Sequence, residues 1–179
     1  MNQKATETKN QLVQTFIDKL YKDHFKEITI AEIAAEAGYS RNTFYRYFKD
    51  KYELLNYFFN QLLESYFSEL RMQTPRNLEE LLTTYFSFWQ RREEVLQLLK
   101  EQQLLTHTLE LYNQKILDVL VSLDFPWHRS HPNMRLVLLI MTGGCWNILH
   151  YYLKNQLSFI PSQLAHDICQ QILPFEDFL

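Results

Sequence analysis

Five side chains within seven residues, Arg41, Asn42, Thr43, Arg46 and Tyr47, are of the types that read and grip DNA. A guanidinium forks onto guanine O6 and N7, an Asn amide pairs with adenine, and Thr and Tyr hydroxyls reach phosphate oxygens. In a helix they lie away from Phe44 and Phe48, which at i and i+4 share a face suited to a core. Lys51, just beyond, adds a cation suited to phosphate. A polar face on a lone short helix is usually only a solvated one. Here the flanking residues shift the balance toward DNA.

Those flanks specify the elements that hold the five. Thr29 and Glu32 form a capping box opening a helix whose apolar positions are Ile30, Ile33, Ala34 and Ala37. Gly38 ends it, because glycine takes the left-handed C-cap conformation at no Cβ cost. Ser40 is the N-cap of the next helix, Arg41 to Phe48, and Asp50 with Glu53 caps a third. The spacing is that of a helix-turn-helix.

The run TIAEIAAEAGYSRNTFYRYFKDKYELL, residues 29–55, resembles the N-terminal domain of TetR/AcrR-type transcriptional regulators. The resemblance extends over residues 8–60, and past them only helix pattern remains. It implies that Thr29, Thr43, Tyr45, Tyr47 and Lys51 grip phosphates while Ser40, Arg41, Asn42 and Arg46 lie at or near base edges. The loop before Thr29 reads DHFKE where many members carry Gly, so Phe25 is expected to plug the small domain's core. TFYRYFKDKYELL is also similar to a branch that includes activators responding to a protein partner. The family's fold is a three-helix DNA-binding domain followed by an antiparallel helical effector and dimerisation domain. An effector there would shift the fourth helix and change the separation of two recognition helices in a dimer.

Composition agrees with an all-α fold. Of 179 residues 46% are hydrophobic and 15% aromatic, enough for a packed core, and three Gly with five Pro leave little for turn-rich β architecture. Two cysteines, no Cys-x-x-Cys and no signal peptide argue against a disulfide framework and for a reducing cytoplasm. The net charge of −3 is unevenly spread. Residues 1–51 carry nine Lys and Arg against seven Asp and Glu, a net +2, and the remainder carries nine against fourteen, a net −5. So small a basic excess calls for a dimer presenting two recognition helices.

The boundary is expected at residue 50, with 1–50 binding DNA and 51–179 binding effector and partner subunit. Helix 1 should run from Thr6 to Lys22, with Lys4, Thr8 and Lys9 near DNA, and helix 4 from Asp50 to Met72. Thr74-Pro75 reads as cap and N1 proline of helix 5. Two helices then fit between Glu93 and Leu123 with a break between Gln103 and Thr108, before a surface loop DFPWHRSHPN. Met134 to Leu153 is long and apolar enough to raise a membrane span, but Thr142, Asn147, His150 and the Gly143-Gly144 pair favour a helix that a second subunit completes. Pro161 opens a last helix, which should join that four-helix dimer interface.

No catalytic constellation emerges, and nothing in the sequence asks for a cofactor. His24, His107, His128, His131, His150 and His166 are scattered, more as surface residues than zinc ligands, although His107, Cys145, His150 and Cys169 share the effector-domain helices. Side chains that could face a cavity are Tyr66, Tyr85, Trp89, His107, Tyr112, Trp146 and His150, each also at home in a core. With few basic residues nearby, such a cavity would suit a flat apolar or aromatic molecule. The reading is therefore a homodimeric DNA-binding regulator on a palindromic operator, a repressor by default and not an enzyme. An activator or a regulator controlled by a protein partner is the alternative.

Overall fold

The computed structural model describes residues 3–122 and 134–172, and every regular element among them is helical. In order these are α1 (Gln3–Leu20), α2 (Ile30–Glu36), α3 (Arg41–Tyr47), α4 (Lys51–Gln73), α5 (Leu78–Gln90), α6 (Glu93–Glu101), α7 (Leu105–Ser122), α8 (Met134–Asn155) and α9 (Pro161–Asp167). A π-helical turn, Ile168–Ile172, follows α9. The expected DFPWHRSHPN loop, with His128 and His131, lies outside the described residues.

Two compact units result. One holds the residues up to Leu62 together with Leu98–Leu104, and the other holds Leu63–Gln97 with the residues from Leu105 onward. The boundary expected after residue 50 falls at the start of α4, whereas the units divide inside that helix and the end of α6 joins the first unit.

In the first unit the caps form as their residues dictate. Thr29 Oγ1 accepts from the Glu32 amide at 3.2 Å, and Glu32 Oε2 accepts from the Thr29 amide at 2.8 Å. Gly38, at φ +77°, closes α2, its amide donating to Ala35 and that of Tyr39 to Ala34. Ser40 Oγ caps α3 by accepting from the Thr43 amide at 3.1 Å. Asp50 caps α4 through the Glu53 amide, but the Glu53 carboxylate reaches back to Lys49 rather than to Asp50. Phe25 is buried as expected, edge-on to Phe16 and Tyr52 at 6.1 and 4.9 Å. The same unit buries Leu12, Leu20, Ile33, Phe44 and Phe59, each essentially without exposure.

In the second unit α5 packs on α9 and α7 on α8. Its core is aromatic, with Tyr66, Phe67, Phe86, Phe88, Trp89 and Tyr112 all buried. The start of α5 differs from expectation. Asn77 is the cap, accepting from the Glu80 amide at 2.9 Å, while Thr74 sits at φ +44° with its amide donating to Leu70 and so terminates α4 instead.

Helix α8 has two faces. Thr142, Cys145, Trp146, Leu149 and Leu153 are buried, and on the opposite side Leu136 (59% exposed), Ile140 (73%), Gly144, Asn147 and Tyr151 (60%) form one uncovered stripe. Among the described residues no helix is long and apolar enough to cross a membrane.

Thr74→Gly should raise the denaturant midpoint of unfolding. Relief of left-handed strain at a β-branched residue contributes about 1 kcal/mol, partly offset by glycine's freedom in the unfolded chain. An unchanged or lower midpoint would show that the conformation carries no strain worth relieving.

Candidate DNA-binding surface

Helix α3 is seated by Phe44 and Phe48, both buried, with ring centroids 5.8 Å apart. That seat turns Arg41, Asn42, Tyr45 and Arg46 outward, all exposed, with Thr43 and Tyr47 half-buried at the margins. The side chains of Arg41, Asn42 and Arg46 make no hydrogen bond or ion pair among the described residues. Their donors are available to a partner from outside. Tyr45 lies edge-on to Phe44 at 5.7 Å and is more than half exposed. The Ser40 hydroxyl, by contrast, is shared between the Thr43 amide and Thr43 Oγ1, and that of Thr29 is directed at Glu32 Oε2, 2.7 Å away. Both are held locally as caps.

Helix α1 adds a cation to this side. Lys9 Nζ stands 5.1 Å from the ring centroid of Tyr57, 5.9 Å from that of Phe48 and 6.0 Å from that of Tyr47. Such a seat orients an ammonium without neutralising it. Its aromatic partners come from α3, its C-cap and α4, so spacing within α1 gives no sign of them. Thr8, expected near DNA, is instead buried, and its hydroxyl donates to the Lys4 carbonyl at 2.9 Å.

The Lys51 ammonium is engaged by the loop after α1. Its Nζ donates to the carbonyls of Phe25, Lys26 and Ile28, and it lies 4.6 Å from the centre of the Phe25 ring. An ammonium has three N–H donors, and all three are committed. Partial burial lowers its pKa, the charge being kept from water by the loop it holds. A phosphate contact would first have to break this cage.

The seven candidates for an effector site do not form one site. Tyr66, Tyr85 and Tyr112 converge, with Tyr66–Tyr85 at 6.0 Å and Tyr85–Tyr112 at 6.2 Å, and together with Leu81, Leu82, Met141, Thr142 and Cys145 they line a space of about 30 Å³. Burial pushes the phenols upward, and the Tyr112 hydroxyl bonds to that of Tyr66. The Tyr85 hydroxyl is buried with no hydrogen-bond partner among the described residues. Trp146 stacks on Tyr112 at 6.3 Å and meets Trp89 edge-on at 5.9 Å, so both indoles are core. His150 is exposed beside a separate recess of about 10 Å³ lined by Leu96, Leu105 and Trp146, and His107 is half-buried on α7. Burial pushes the Cys145 thiol up to about 12. Among the described residues no three His, Cys, Asp or Glu side chains are grouped to hold a metal ion.

An open groove of about 410 Å³ runs along the α4–α5 connection, lined by Gln73, Pro75, Asn77, Glu79, Glu80, Thr83 and Thr84. The sequence reading did not foresee it. Its carboxylates are engaged, Glu80 with Arg76 at 2.7 Å and Glu79 with His166 at 3.3 Å. The Arg76 guanidinium holds the Glu80 carboxyl below the usual carboxylate range.

Residues 22–58, from the loop after α1 into α4, match the family model of bacterial regulatory proteins, tetR family. Comparison of the chain with curated proteins finds no match. The geometry separates two kinds of basic residue within that span. Arg46→Ala should lower the salt slope of DNA binding by about one unit, as expected for one lost phosphate or base contact. Lys51→Met should leave that slope unchanged and destabilise the chain by about 1.5–3 kcal/mol, the range for hydrogen bonds to a charged group. Titrating operator binding from low to high salt, beside a chemical melt, checks both. A slope that falls for Lys51→Met would restore its phosphate role.

Proposed function

From the match of residues 22–58 to the tetR family of bacterial regulatory proteins, we propose that the chain is a DNA-binding transcriptional regulator of that family, working in the cytoplasm as a homodimer on a palindromic operator and repressing by occupancy. The observation that carries the reading is the outward face of α3, where Arg41, Asn42 and Arg46 keep unspent donors on a helix seated by two buried phenylalanines. In the major groove these three suit base edges, while Thr43, Tyr45, Tyr47 and Lys9 suit the flanking phosphates.

Dimerisation is supported by the stripe on α8. Leu136, Ile140 and Tyr151 are large, apolar and uncovered, and at Gly143 and Gly144 an added Cβ would meet no atom within 4 Å. Such a face lets a second helix approach closely, and a two-fold contact would use each residue twice. A single head with a net charge of +2 binds DNA weakly, so spacing two heads one helical turn apart, or a small multiple of it, supplies the affinity.

How the regulator is controlled is a second question, and the tyrosine cluster bears on it. A space of about 30 Å³ accepts a water molecule, whereas drug-sized ligands occupy roughly 300 Å³ or more. The open groove beside the α4–α5 connection, about 410 Å³, does reach that size; the alternative, in which the second unit answers to a protein partner with activation as one form of control, needs neither space.

Selection of bound duplexes from random DNA should return a palindrome, and Asn42→Ala should cost about 1–3 kcal/mol on that site alone. A chain that enriches no sequence would end this reading. Ile140→Asp should give a folded monomer by sedimentation, because the residue is exposed in the single chain, with operator affinity reduced at least tenfold. Each Ile140 withheld from burial forfeits about 1.5–3 kcal/mol. Flat aromatic molecules should neither quench tryptophan emission nor weaken operator binding, and one that does both would bring back the small-molecule effector.

A further inference from the structure

We propose that Gln102 is a positioning residue of the DNA-binding head, so that the turn after α6 governs how α3 is presented. The proposal rests on the DNA-binding reading above. Gln102 spends its amide on the loop that follows α1. Its Nε2 donates to the carbonyls of Leu20 at 2.7 Å and Asp23 at 3.1 Å, and its Oε1 accepts from the amide of Phe25 at 2.7 Å. Those three partners lie 82, 79 and 77 residues earlier in the chain.

The rest of the turn is built around that contact. Leu98, Leu99 and Leu104 are buried, and residues 98–104 belong to the first unit although the chain on both sides of them belongs to the second. The reversal is sharp. Gln103 adopts φ +58°, the Leu104 amide closes onto Leu99 at 2.8 Å and the Gln103 amide onto Lys100 at 3.0 Å. A non-glycine residue held in that conformation is costly unless its surroundings impose it.

Gln102 and Lys51 hold the same residue by its two backbone groups. The Phe25 amide is held by Gln102 and its carbonyl by Lys51, which also takes the Lys26 and Ile28 carbonyls. This loop sets the angle between α1 and α2, and α2 carries α3 through the turn at Gly38. Gln102 is absent from the outward face of α3, so it acts on DNA only through this loop. A change in the turn at residues 98–104 therefore reaches the recognition helix through three hydrogen bonds.

The test uses the full chain with Gln102→Ala and Gln102→Glu, the latter keeping an acceptor for the Phe25 amide while setting a carboxylate against two carbonyl oxygens. For each variant the affinities for the selected operator and for unrelated DNA, the salt slope and the exchange rate of the Phe25 amide are measured below the melting transition. Both variants should bind the operator about tenfold more weakly, a typical coupling between sites, with unrelated-DNA affinity and salt slope unchanged. Gln102→Ala should also speed exchange at Phe25. Operator affinity within twofold of wild type in both variants overturns the proposal. So does an equal loss on operator and unrelated DNA, which marks a merely structural staple, and so does a reduced salt slope, which marks a lost contact. Failure of the wild-type chain to select any sequence would instead defeat the DNA-binding reading itself.

Discussion

Between α1 and α2 run nine residues, 21–29, that belong to no helix, and at their centre a phenylalanine is buried. A buried side chain draws its own peptide groups inward, and peptide groups removed from water cost about 1–3 kcal/mol each when left unpaired. The loop's own bonds, from the Glu27 and Ile28 amides to the His24 carbonyl, satisfy only part of this need. The carbonyls of Phe25, Lys26 and Ile28 turn to one ammonium. Everything on the DNA side depends on that solution, because α2 leaves this loop and α3 leaves α2 within a few residues.

The two units solve the packing problem differently. The first relies on directed polar contacts around a small core: three N-caps, a glycine turn and a caged lysine, each with its geometry set by hydrogen bonds. The second relies on aromatic faces and edges, Tyr66 against Phe88 at 5.1 Å and Phe86 against Phe159 at 5.9 Å, with few polar groups to fix orientation. Directed bonds suit a surface that must present donors in one arrangement. Ring packing tolerates substitution more readily, since it asks for volume before direction.

What could be read from the sequence was what depends on neighbours in the sequence. The capping box of Thr29 and Glu32, the Gly38 turn and the Phe44–Phe48 seat all lie within four residues of their partners, and the structure reproduces them. The burial of Phe25 was legible too, since an aromatic among polar residues has few other places to go. The carbonyl cage of Lys51 was not legible, because a lysine beginning a helix beside a recognition helix looks the same whether it faces phosphate or carbonyls. Its partners lie 23 to 26 residues away. Thr74 and Asn77 are both cap residue types three apart, and their types and spacing alone do not decide which helix each serves. The tyrosine cluster was legible as apolar but not as filled, because periodicity gives the face of a residue and never the volume left beside it.

Cys145 sits at the wall of that cluster, and its raised pKa has a consequence for the chemistry of the whole second unit. Oxidants and alkylating reagents attack the thiolate, which burial makes scarce at neutral pH. The residue is therefore silent while the rings around it stay closed. A thiol that becomes reactive only when its surroundings part acts as a clock, and its labelling rate would time the breathing of an aromatic core that a static structure shows only at rest.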